Sequence, residues 1–335
     1  MDRSTLPPDD AGFTGKATMG TVTGDIQFSA PLLVQGDVLG IELPMILHDA
    51  TGTISMPRTP KEWPRRSPLA HMGYYQSPGM EEPTHLWPDG YWGAPFQEPD
   101  CRGHVARAGV RFEVPMSSPM LDASGHPKQE MFTALYQWLS CVEDWLTLLT
   151  ERPVDEPSSR VEPSTSIHLR STGHDGAPRS SGGMVTIITP FDPIKEPTRG
   201  FVTLDLWKKA VESGSTPLPL EYKLLNAAFG ALWLGNTRLA VLECATAIEV
   251  VLTAALIKQL AGHAPDFVAY LLKRHQELGR KASLCKLLKV TLPEGIESVV
   301  ESRNRAIHAG VPPEHETAKK AVDVTKDVLH THRPL

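Results

Sequence analysis

Between residues 239 and 257 the chain reads LAVLECATAIEVVLTAALI, nineteen residues interrupted by two charges, Glu243 and Glu249. A helix that is apolar on nearly every side has to be surrounded. Two carboxylates within such a run argue against a bilayer span. The remaining solution is the central buried helix of a bundle, and other helices must then supply apolar faces to enclose it.

The flanking sequence offers those faces. Upstream, Tyr222, Leu225, Phe229, Leu232 and Trp233 recur on one helical side that ends at Gly235-Asn236. The buried helix is expected over about 237–261, and shorter helices near 265–278 and 280–289. A helix carrying Arg303 and a last one from about 314 to 331 complete the set. No strand alternation occurs from Thr203 onward, so residues 203–335 are expected to form an α-helical bundle with short loops.

The preceding sequence has another period. Residues 1–12 read as a flexible leader. Thr21-Val22-Thr23, Ile26-Gln27-Phe28, Val38-Leu39-Gly40-Ile41 and Thr53-Ile54 read as strands parted by glycines or Gly-Asp pairs, which suit tight turns. Residues 57–99 hold nine prolines together with Trp63, Tyr74, Tyr75, Trp87, Tyr91, Trp92 and Phe96, which predicts an irregular but ordered insertion packed on the sheet. Val110, Phe112 and Val114 alternate as a strand does. After Pro127, Phe132, Leu135, Leu139, Val142, Trp145, Leu146 and Leu149 fall at helical spacing. A Pro/Ser/Glu-rich loop is expected at 151–165, and a polar loop at 171–183 between strands at 167–169 and 184–188. Pro190, Pro193 and Pro197 mark a boundary. The fold class expected is therefore α+β in two domains: a β-rich domain with a long helix over 1–198 and an all-α domain over 203–335.

Length agrees with two domains, since the chain has 335 residues. The net charge of −6 is uneven: from Thr203 onward 17 basic residues face 14 acidic ones, against 16 and 25 before it. A polyanion is repelled by the first part and mildly attracted by the second. The cysteines, Cys101, Cys141, Cys244 and Cys285, form no CxxC pair, and the histidines show no ligand spacing, so neither a metal nor another cofactor is expected. Cys244 and Cys285 read as small core residues. The first residues, MDRSTLPPDDAG, contain no apolar signal core, and a cytoplasmic location is expected. The pairs Lys208-Lys209, Lys273-Arg274, Arg280-Lys281 and Lys319-Lys320 read as solvated helix faces, and His330 and His332 as a fraying tail.

One polar cluster stands out. A helix starting near Pro293 and stopped by Gly310 and Pro312-Pro313 carries Arg303-Asn304-Arg305-Ala306-Ile307-His308. At about 100° per residue, Ile296, Val299, Val300 and Ile307 form an apolar stripe with Arg303 in its middle, while Arg305 falls opposite, one turn from Glu301. A charge on a buried stripe needs a partner, so Arg303 belongs either to a polar constellation or to an interface. Asn304 and His308 stack on one face, and Arg303, one column round, can reach the same pocket mouth. Glu249 lies on the stripe of Leu242, Leu256 and Leu260 and is the expected partner of Arg303. A guanidinium, an amide and an imidazole suit metal-free cleavage of an RNA phosphodiester, in which the 2′-hydroxyl is the internal nucleophile.

These residues resemble a known family. Arg303-Asn304-xxx-His308 matches the RNxxxH form of the HEPN motif. Residues 220–260, with Ala247-Ile248-Glu249, look like the first helical hairpin of the Apea-like HEPN group, and His308-Ala309-Gly310 is typical of it. The resemblance covers about 203–335. It implies a helical bundle that dimerises, so that two motifs meet in one composite RNase site. Arg303 and His308 would be catalytic, Asn304 would orient the phosphate or the histidine, and the products would carry 2′,3′-cyclic phosphate ends. It also implies bacterial anti-phage or stress defence. The expected partners are RNA, a second copy of the chain and a protein or small-ligand trigger at the first domain, with no membrane. The alternatives are a non-catalytic HEPN dimerisation or sensor module, and a toxin held in check by a separate partner.

Overall fold

The computed structural model describes residues 18–57, 93–95, 103–151, 153, 167–172, 178–180 and 201–335. It has an α+β architecture, a sheet followed by a mostly helical bundle. The strand expected at 184–188, the boundary prolines and most of the 57–99 insertion lie outside the described residues.

Among the described residues seven strands form one sheet in the order β2-β3-β5-β1-β6-β7, with β4 (Gly93–Pro95) also paired to β5. Strand β1 (Met19–Val34) is antiparallel to β5 (Gly103–Pro115) and to β6 (Ile167–Thr172). The hairpin β2 (Glu42–Leu47) and β3 (Ala50–Ser55) extends one edge, and β7 (Pro178–Ser180) lies at the other. Gly24-Asp25 does not turn the chain. The ladder continues through both residues, and the irregularity in β1 falls later, between Gln27 and Leu32. The expected strand at 38–41 is also absent: Gly36–Val38 make a 3-10 turn, and the pairing strand begins at Glu42. Here Val38 is buried as a turn residue rather than as part of an alternating run.

Alternation places Val22, Ile26 and Phe28 of β1 and Val110, Phe112 and Val114 of β5 on one buried face. The helices α1 (Gln129–Thr150) and α2 (Leu204–Ser213) pack on each other and on β2. Trp207 of α2 is fully buried and meets Phe28 edge-on, with ring centroids 6.0 Å apart and planes at 81°. Just before α2, Val202 joins the sheet: its N–H donates to Leu33 O at 2.7 Å, and its carbonyl accepts from Gln35 N at 3.0 Å. The opposite face of β1 and β5 carries a buried ion pair that the sequence pattern did not flag. Arg107 Nη1 donates to Asp25 Oδ2 at 2.9 Å, and Nη2 to Gln27 Oε1 at 3.3 Å.

The bundle comprises α3 (Leu220–Trp233), α4 (Thr237–Gln259), α5 (Pro265–Arg274), α6 (Leu278–Leu287), α7 (Ile296–Asn304) and α8 (His315–His332). The chain turns between α3 and α4 at Gly235, and the Asn236 side chain caps α4 by accepting from Leu239 N at 3.1 Å. Helices α3, α6, α7 and α8 all contact α4. Its mean hydropathy reaches 2.0 over an 18-residue window, and half of that window is buried inside the fold. The apolar run is thus the hub of the bundle. Burial lifts the Cys244 thiol of α4 to about 12, and Cys285 of α6 to about 11. The tail is docked rather than frayed at His332, whose Nε2 lies 2.8 Å from Thr291 O.

Bundle and sheet layer share one core. Asn226 Nδ2 of α3 donates to Asp144 O of α1 at 2.8 Å, Trp145 Nε1 donates to Thr216 O at 2.9 Å, and Lys326 of α8 pairs with Glu151 just past α1.

Candidate functional site

The helix that carries the motif starts later than the prolines suggest. Pro293 lies outside it, and α7 begins at Ile296 behind Gly295. Gly295 has φ +88°, and a Cβ there would come within 2.9 Å of Val324 Cγ2, so the entry to α7 is pressed onto α8. Ile296 and Val299 are buried, as the stripe predicts. Beyond Asn304 the α-helix widens into one π turn, Arg305–Ala309, ending at Gly310. The stripe does not survive that turn. Ala306 takes the fully buried position, and Ile307 is 40 % exposed. Wide turns of this kind recur at functional sites.

Arg303 faces α4. Its Nη2 lies 3.9 Å from Glu249 Oε1, and each of the two side chains is about a quarter exposed (25 % and 24 %). Its Nη1 donates to Asn304 Oδ1 at 3.1 Å. At 3.9 Å the Glu249 contact is an ion pair without a hydrogen bond. Glu249 Oε1 is itself buried and accepts no hydrogen bond among the described residues.

Asn304 and His308 point elsewhere. Both are exposed and line a cavity of about 620 Å³ between α6 and α7. From α7 and its π turn the wall also takes Glu297, Val300, Glu301 and Arg305. From α6 it takes Gly279, Ala282, Ser283 and Lys286. The motif is therefore split. Asn304 and His308 share this wall, Arg303 does not line it, and Arg305 does. The expected pair of Glu301 with Arg305 is not formed. Among the described residues the exposed side chains of Arg305 and His308 make no hydrogen bond or ion pair. Lys286 is engaged by Glu297, and that contact holds the Glu297 carboxyl below its usual range.

The α6 wall was missed from the sequence. Its signal is the spacing Gly279, Ala282, Ser283, Lys286, one helical face of small residues closed by a cation. Gly279 lets α6 approach α7, since a Cβ there would meet Val300 Cγ1 at 3.2 Å. The site thus presents an unpaired guanidinium, an amide and an imidazole over a floor of Gly279, Ala282 and Val300. Among the described residues no cluster of three or more His, Cys, Asp or Glu side chains could hold a metal ion. Comparison of the chain with protein-family models, with curated proteins and with solved structures finds no match.

Proposed function

We propose that this protein is a metal-independent endoribonuclease of the HEPN type, working as a homodimer. The observation that carries the reading is the exposed amide and imidazole of Asn304 and His308 side by side on one cavity wall, with Arg303 braced behind them. In this mechanism the 2′-hydroxyl of one nucleotide attacks its own 3′-phosphorus and the bond to the 5′-oxygen breaks. His308 moves the proton, taking it from the 2′-hydroxyl or returning it to the 5′-oxygen. The motif of a second copy supplies the complementary transfer. Asn304 stabilises charge on the phosphate oxygens, and Arg303, backed by Glu249, holds Asn304 in place. The products are a 2′,3′-cyclic phosphate and a 5′-hydroxyl.

A second copy fits the face beside His308, where Ile307 and Val311 are 40 % and 49 % exposed next to a charged cluster. The sheet domain acts as regulator of the cleavage, in anti-phage or stress defence. Its route to the bundle is the set of contacts from α1 to α3 and α8. One observation favours the alternative of a non-catalytic dimerisation or sensor module: Arg303 is already engaged by Glu249 and Asn304 and lies off the cavity. Incubating the full chain with total RNA in EDTA separates the two. Cleavage that survives EDTA and disappears in Arg303→Ala and His308→Ala supports the nuclease. Cleavage unchanged in His308→Ala refutes the assignment of the site.

A further inference from the structure

We infer that Arg305 is the guanidinium that touches the RNA phosphate at this site, and that Arg303 is a positioning residue; this rests on the RNA-cleavage reading above. A phosphate clamp needs a cation whose donors are free and which stands on the same side as the proton-transfer group. Arg303 meets neither condition. One end of its fork donates to Asn304 Oδ1 at 3.1 Å, and the other faces Glu249 at 3.9 Å. Arg305 meets both. Its side chain is exposed, has no hydrogen-bond or ion-pair partner among the described residues, and lines the cavity with Asn304 and His308.

The Arg303 contact then has a use of its own. A guanidinium only donates, so it fixes Asn304 with Oδ1 turned toward it. The Nδ2 donor of Asn304 is left for an oxygen in the cavity. Arg305 and Asn304 Nδ2 together offer three or more donors to one phosphate, beside the imidazole that moves the proton. The remaining charges limit how much backbone can enter. Lys286 is neutralised by Glu297, and Glu301 lines the same wall, so a second phosphate is disfavoured there. The ligand class is therefore a single-stranded RNA that presents one phosphate to the cavity, held mainly by Arg305.

The test measures binding apart from cleavage. A fluorescently labelled single-stranded RNA with 2′-O-methyl riboses cannot supply the nucleophile but keeps the phosphates. Its anisotropy is titrated with the full-length wild type, Arg305→Ala, Arg305→Lys and Arg303→Gln across a salt series, and cleavage of the all-ribose RNA is measured in EDTA. Arg305→Ala is expected to bind about tenfold more weakly, with a log-log salt slope shallower by about 0.7, the contribution of one phosphate contact on a single strand. Arg305→Lys keeps the slope and loses part of the affinity. Arg303→Gln binds within about twofold of wild type while its kcat falls, because it misplaces Asn304 rather than losing the phosphate. Unchanged affinity and slope in Arg305→Ala, or loss of binding in Arg303→Gln instead, overturns the inference and leaves the cleavage reading standing. A wild type that binds but cleaves nothing overturns the cleavage reading, and the Arg305 arm still decides the phosphate contact. A wild type that binds no RNA overturns both.

Discussion

The Glu249–Arg303 pair allows a quantitative test of how the motif helix is held. At 3.9 Å, two unit charges attract by about 4 kcal/mol at an effective dielectric constant of about 20. Each side chain is about a quarter exposed (25 % and 24 %), so solvent screening and desolvation remove most of that. No hydrogen bond adds to it. Pairs in this setting couple by about 0.5–1 kcal/mol. The two single losses are unequal, and the structure says which is larger. In Glu249→Gln, Arg303 keeps its bond to Asn304 and reaches water, a cost of about 0.5–1 kcal/mol. In Arg303→Gln, the Glu249 carboxylate, whose Oε1 is already buried without a hydrogen bond, also loses the guanidinium that faces it, a cost of about 1–3 kcal/mol. Urea unfolding of wild type, both single variants and the double variant gives the coupling from the cycle. A coupling below about 0.2 kcal/mol, or a Glu249→Gln variant weaker than Arg303→Gln, refutes the reasoning. A coupling above about 2 kcal/mol also refutes it, since that needs a desolvated, hydrogen-bonded pair.

Other parts of the fold make independent predictions. Arg107→Met removes a charged hydrogen-bond partner from the buried Asp25 carboxylate on the sheet face and should cost about 1.5–3 kcal/mol, with Asp25→Leu in the same chain recovering part of the loss in thermal unfolding. Trp207→Ala empties the contact of α2 with Phe28 and should cost about 3–5 kcal/mol by urea titration; a cost below about 1 kcal/mol shows that α2 is not packed on the sheet. For Cys244 the folded thiol is raised from 9.0 to about 12 by burial. The unfolded chain therefore loses this proton first as pH rises, and stability is full below about pH 9. It then falls by up to about 1.4 kcal/mol per pH unit toward pH 12. Comparing the alkaline slopes of wild type and Cys244→Ala isolates this contribution, and equal slopes contradict it.

The helical half was legible because its core obeys one period. The run at 239–257 is so apolar that only a hub helix could hold it, and α4 is that hub. The sheet half was harder. Gly24-Asp25 reads as a turn, yet in β1 it continues a ladder between two neighbouring strands, and Asp25 pairs with Arg107 on the sheet face. A partner 82 positions away leaves no mark on local pattern. Within the site, the Glu249–Arg303 juxtaposition followed from two charges on apolar stripes. The stripe rule then failed at Ile307, since a π turn changes the helical phase and nothing in RNRAIHA announces it. The α6 wall was unreadable in sequence because small residues at helical spacing signal close packing without naming the neighbour. The place of Arg305 on the wall with His308 depends on that π turn and was not legible in the sequence. In the sequence Arg305 reads as a solvated charge paired with Glu301 one turn away, a pair that the structure does not form.

The proposal that this chain cleaves RNA through its 2′-hydroxyl is tested most directly with a matched pair of substrates. One RNA is cleaved by the full-length protein in EDTA and its cut site is mapped. The same oligonucleotide is then made with a single 2′-deoxyribose on the 5′ side of that bond. The account predicts that the deoxy substitution abolishes cleavage there, and that the all-ribose product ends in a 2′,3′-cyclic phosphate by mass spectrometry, with both signals lost in His308→Ala. Equal cleavage of the deoxy substrate, or a product ending in a 3′-hydroxyl, contradicts it.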